Sequence, residues 1–95
     1  MLRSYLKEKV TRLDHLLTFE LQLDGDCVEI HADSDGLEVF IKELLCLKQR
    51  VDNGECEHSH LMTDNWGGDD LSIEMQNKSG EYKLIQHVKL YGWKK

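Results

Sequence analysis

One helical stripe constrains this chain more than any other feature. Leu37, Phe40, Ile41, Leu44, Leu45, Leu47 and Val51 recur at the spacing of a single helix face, behind Asp35 and Glu38, which stand like a capping box with Asp in the Ser/Thr position. Asn53-Gly54 follows, the residue types that accept the left-handed conformation past a last helical turn. A helix with so wide an apolar face must bury it against a second layer, and the flanking segments supply one. Phe19, Leu21 and Leu23 alternate with Glu20 and Gln22, while Val28, Ile30 and Ala32 alternate with Cys27, Glu29 and His31. The Asp24-Gly25-Asp26 turn between them makes an antiparallel hairpin.

Beyond the helix, residues 57–62 read as a third strand. Lys83 to Tyr91 reads as a fourth, with Leu84, Val88 and Leu90 on one side and Ile85, His87, Lys89 and Tyr91 on the other. Leu2, Tyr5, Leu6, Val10, Leu13, Leu16 and Leu17 predict an amphipathic helix over residues 2–16. The stretch from Trp66 to Gly80 is irregular, with one helical turn expected from Leu71 to Gln76. The predicted fold is therefore α+β: a four-stranded, largely antiparallel sheet with two helices packed on one face. Its opposite face would carry Glu20, Gln22, Glu29, His31, His87, Lys89 and Tyr91, open to solvent or to a partner.

Ninety-five residues make one domain, expected to span 1–95. No apolar run approaches the length of a membrane span, and the N-terminus lacks the apolar core of a signal peptide, so the expected compartment is the cytoplasm. Cys27, Cys46 and Cys56 form no CxxC pair and are expected as free thiols, Cys46 as a small core residue. Charge is segregated more sharply than the net value of -6 conveys. Eight acidic residues lie between Arg12 and Lys42, and seven more between Arg50 and Lys78, without an intervening Lys or Arg. Such a field repels nucleic acid and favours basic partners; ordinary solubility is the plainer use of the same charge.

His58 to Ser72 concentrates two histidines, Trp66, paired glycines and three aspartates in fifteen residues. His58 and His60 share a face if they lie on a strand, and Asp64, Asp69 and Asp70 could complete a metal site, yet a His-x-His pair alone lacks the ligand spacing of a recognisable one. For a hydrolase, His60 with Asp64 or Asp70 would be the base and its orienting carboxylate, and Ser59 or Cys56 the nucleophile. No GxSxG, Walker or HExxH pattern accompanies them, so neither enzymatic activity nor a cofactor is expected. Recognition of a partner uses more of the residues: Trp66 offers a large rigid contact, Gly67 and Gly68 a sharp bend, and the aspartates acceptors for Lys or Arg. Trp66 packed as a plug at the sheet edge is the structural alternative.

Gly36-Leu37-Glu38 leading into the Leu-rich helix, Glu57-His58-Ser59-His60-Leu61-Met62-Thr63, Trp66-Gly67-Gly68, Leu71-Ser72 and Leu84 through Tyr91 together resemble the immunity protein 32 family of bacterial polymorphic toxin systems. The resemblance covers roughly residues 26–93 and leaves the N-terminal segment outside. It implies a cytoplasmic protein that binds and neutralises a cognate toxin, the toxins of such systems often being nucleases with basic grooves. From the acidic middle of the chain and the chemistry of the loop, Glu29, His31, Asp64, Trp66, Asp69 and Asp70 are the expected contact residues for such a basic partner. The competing expectation is a small metal-binding domain or metal-dependent hydrolase built on His58 and His60.

Overall fold

The segments on either side of Asp24-Gly25-Asp26 form β1 (Leu17–Gln22) and β2 (Val28–Ala32), paired antiparallel from Leu17 opposite Ala32 to Leu21 opposite Val28. This hairpin belongs to a computed structural model that describes residues 14–55 and 57–94. Helix α1 (Ser34–Asp52), strand β3 (Glu57–Met62), a 3-10 turn (Asp64–Trp66), β4 (Tyr82–Leu84) and β5 (His87–Gly92) follow in order. No described helix is long and apolar enough to cross a membrane.

The single four-stranded sheet expected from the sequence is instead two small antiparallel sheets, ordered β2-β1-β4 and β3-β5. The difference arises at Ile85 and Gln86, which interrupt the strand predicted over Lys83 to Tyr91. Ile85 donates its N–H to Phe19 O at 2.8 Å, the last bond to the first sheet. Gln86 then gives its carbonyl to Thr63 N–H at 3.1 Å and its side-chain oxygen to the Thr63 hydroxyl, the first bonds to the second sheet. Two residues thus hand the chain from one sheet to the other.

One core serves both sheets. Leu17 and Phe19 from β1, Val39 from α1, Leu61 from β3 and Leu71 from the following loop are buried together, with Phe40, Ile85, Val88 and Leu90 packed around them. Phe19 meets Phe40 edge-on, ring centroids 5.6 Å apart. At its other end α1 reaches the second sheet, where Arg50 donates to Ser59 Oγ at 2.9 Å and Leu47 and Val51 close over Gly92. The helix buries a narrower stripe than its sequence predicts: Leu37, Ile41, Leu44 and Leu45 are exposed, and so is Cys46, expected in the core.

The N-terminal cap is Asp33 rather than Asp35. Its Oδ1 accepts the Gly36 N–H at 2.8 Å and the Leu16 N–H at 3.1 Å, while its own N–H bonds to Leu16 O at 3.1 Å. These donors, Gly36 foremost, hold the Asp33 carboxyl below its ordinary pKa. One side chain therefore starts the helix and ties it to the chain entering β1, and Leu16 is not helical. Residues 14–16 thus depart from the helix predicted over 2–16, whose remainder lies outside the described residues. Asp33→Ala should cost roughly 1 to 2 kcal/mol, the usual worth of such a cap. Urea denaturation checks this, and an unmoved midpoint would show that the clamp carries no net stability. The C-terminal end matches expectation, with Asn53 as cap and Gly54 at φ 94°.

Candidate protein-recognition surface

Pairing of β3 with β5 sets His58 opposite Tyr91, His60 opposite Lys89 and Met62 opposite His87. Residues directly opposite share a face, so the intervening Ser59 and Leu61, both buried, mark the inner side, and the histidines stand on the outer one. His58 stacks on Tyr91 at 5.2 Å between centroids and meets His60 edge-on at 4.8 Å. His60 stacks in turn on His87 at 4.9 Å, and Trp66 leans on His87 at 5.6 Å. At the far end Tyr91 stacks on Trp93 at 6.2 Å, with the Lys89 ammonium 5.6 Å from the Tyr91 ring. Six rings form a continuous row, and Trp66, Tyr91 and Trp93 remain 57%, 52% and 67% exposed.

His60 Nδ1 lies 2.7 Å from His87 Nε2, so one ring must supply the proton and the other the lone pair. The pair can then hold no more than one positive charge. Desolvation by the adjoining rings lowers the His60 pKa, and the like charges of His58, His87 and Lys89 push the same way. The neighbours of His58 and His60 in the row are thus one another and the rings of Tyr91 and His87. Among the described residues no group of three or more His, Cys, Asp or Glu side chains is placed to hold a metal ion.

Trp66 is exposed because the loop that carries it is fastened beneath. Thr63, fully buried, begins a bridge to Leu71, and its carbonyl accepts the N–H groups of Trp66 at 2.9 Å and Gly68 at 3.0 Å. Gly67 takes φ 93°, and a Cβ on Gly68 would stand 2.7 Å from Met62 O, so both glycines are required by the backbone path. The resulting 3-10 turn holds Trp66 against His87 rather than as a plug. It replaces the helical turn expected at Leu71 to Gln76, which is irregular.

The other expected contact residues are not gathered here. Asp64 and Asp69 line a cleft of about 330 Å³ beside the loop. Asp70 is 9% exposed and anchors the loop, its carbonyl 2.6 Å from His15 Nε2 and its carboxylate accepting Met62 N–H at 3.3 Å. Glu29 and His31 lie on β2 of the other sheet, bonded to each other at 2.9 Å, and Glu29 also accepts from Asn77 and Tyr82. These donors, the Asn77 side chain first and His31 next, lower the Glu29 pKa. Glu20, expected on the same open face, is fully buried. Tyr91 and Trp93 join the row unsignalled by the loop sequence. Strand register reveals Tyr91 once His58 is placed; Trp93 lies beyond the predicted strand.

Comparison with known proteins adds one match. The model of the family described as immunity protein 32 matches residues 28–88, from β2 through the first residues of β5, and so includes His58, His60, Trp66 and His87. No curated protein and no solved structure matches the chain.

Proposed function

The chain belongs to the immunity protein 32 family, whose members neutralise a cognate toxin by binding rather than by catalysis, and from that premise we propose that the ring row on β3–β5 is where the toxin docks. The observation that carries this reading is the exposure of Trp66, Tyr91 and Trp93 in one row whose members are already stacked on one another. Large rings held in place lose little conformational freedom on binding, which is why Trp and Tyr dominate the energetics of protein interfaces. Asp64, two residues before Trp66, supplies negative charge at the rim, and the acidic middle of the chain steers a basic partner towards it. A toxin with a basic active-site groove, such as a nuclease, is the partner this surface fits best.

Co-expression with the cognate toxin, scored by growth and by co-purification, tests the reading. Trp66→Ala and Tyr91→Ala should each weaken the complex roughly 30-fold or more, the loss of a hot-spot residue, while leaving the unfolding midpoint nearly unchanged. Full affinity in both variants would place the toxin elsewhere.

A further inference from the structure

Helix α1 keeps a second apolar stripe outside the core. Leu37, Ile41 and Leu44 repeat at the four- and three-residue spacing of one helix side, and with Leu45 beside them they are 42% to 59% exposed. Phe40 and Leu47, on the adjoining side, pack inward. Four large apolar residues in one patch are more than a helix ordinarily leaves to solvent. The stripe begins at the clamp between helix and β1. Leu37 follows Gly36, and Asp33 Oδ1 accepts the N–H groups of both Gly36 and Leu16. No more than about 11 Å of extended chain separates residue 13 from Leu16.

We propose that residues 2–13 of this same chain cover the stripe as a second helix, antiparallel to α1. Their sequence carries the matching pattern: Leu2, Tyr5, Leu6, Val10 and Leu13 recur at helical spacing. Twelve helical residues extend about 18 Å, enough to pass the roughly 12 Å from Leu37 to Leu45. Because the segment enters β1 at the start of α1, Leu13 comes beside Leu37, and Val10 and Leu6 come beside Ile41 and Leu44. Charge favours the same docking. Residues 1–13 carry Arg3, Lys7, Lys9 and Arg12 against the single acid Glu8, whereas Asp14 to Glu38 holds eight acids and no Lys or Arg. A tethered segment also meets the stripe at an effective concentration far above that of a second copy of the chain. The toxin surface stays free, since α1 reaches β3 from its inner side, through Arg50 and Ser59, while the ring row stands on the outer one. The proposal is therefore independent of where the toxin docks.

Two measurements on the full chain test it. In the first, NMR of methyl-labelled protein is expected to show nuclear Overhauser contacts between Val10 and Ile41, and from the Tyr5 ring to Leu44 or Leu45. A mixture of labelled and unlabelled chains separates contacts within one chain from contacts between two. Contacts only between chains would make a second copy the occupant, and no contacts would leave the stripe open to the toxin; either result overturns the proposal. The second measurement is the urea midpoint of Ile41→Ala, Val10→Ala and the double variant. Alanine is the better helix former, so on a bare helix side either single change leaves the midpoint unchanged or raises it. Beneath a second helix each removes buried methyl groups, and the midpoint should fall in both. The double variant should then lose less than the sum of the two, as side chains in contact do. A midpoint that does not fall in either single variant, or shifts that add in full, would overturn the cover.

Discussion

Glu20→Ala should lower the stability of this protein by roughly 4 kcal/mol, a large share of the 5 to 14 kcal/mol expected for a domain of this size. Glu20 is fully buried on β1, yet its carboxylate accepts four hydrogen bonds: from Thr18 Oγ1 at 2.7 Å, Gln76 N–H at 2.9 Å, Asn77 N–H at 3.0 Å and Asn77 Nδ2 at 2.7 Å. Removing the acceptor strands several donors, which costs more than the bonds themselves contribute when made. It also frees the 76–77 segment, whose Asn77 reaches on to Glu29.

The same site predicts acid lability. Burial acts to raise the Glu20 pKa, but the donors from Gln76, Thr18 and Asn77 outweigh it and bring the pKa from 4.5 to about 2. A carboxyl depressed in the fold binds a proton more readily once unfolded, so its stabilisation is complete above about pH 4.5 and fades as pH falls towards 2. The difference corresponds to about 3 kcal/mol. In Glu20→Gln that contribution to the pH dependence should vanish while the side-chain volume is kept. Urea midpoints measured from pH 6 to pH 3 decide the matter: parallel curves for wild type and Glu20→Gln would remove Glu20 as their source.

Gly36→Ala should be as damaging, against the helix preference of the two residues. Within a helix, alanine normally gains about 1 kcal/mol over glycine. Here a Cβ would lie 1.7 Å from Leu16 O and 2.7 Å from Leu16 C, both backbone atoms of a segment already clamped through Asp33. Helix and strand entry cannot both stay in place, and a loss of roughly 3 kcal/mol or more follows from overpacking combined with the broken cap. Gly54→Ala is the matched control, since nothing lies within 4 Å and only its φ of 94° opposes a side chain. It should cost about 1 kcal/mol. Near-wild-type stability of Gly36→Ala in chemical denaturation would show that this approach can open without penalty.

Local periodicity made some of this architecture legible and hid the rest. The β1–β2 hairpin, α1 and the bounds of β3 follow from spacings within a few residues, and the glycine pair after Trp66 signalled a bend. Alternation with Phe19 and Leu21 points Glu20 to an open face, but its partners Gln76 and Asn77 are distant in sequence and leave no periodic trace. The break at Ile85-Gln86 was equally hidden, since the alternation from Leu84 to Tyr91 continues through it unaltered. Asp33, Asp35 and Glu38 all suit a helix start, and the choice of Asp33 depends on Leu16, which no local pattern links to it. In the candidate surface, Trp66 and the histidines were visible as residue types. Their assembly into a row needed the register of β3 on β5, and the cleft needed His15, read from sequence as part of a helix.

The handover at Ile85-Gln86 also bears on the order in which the molecule assembles. The β1–β2 hairpin can form from neighbouring residues, but β1 waits for β4 and β3 for β5, and these two late partners are joined by only two residues. Docking either one brings the other within reach, so most of the loop-closure entropy is lost in one step rather than two. Completion of the two sheets is thereby coupled: the 82–92 segment acts as a single latch, closing on both through one stretch of chain.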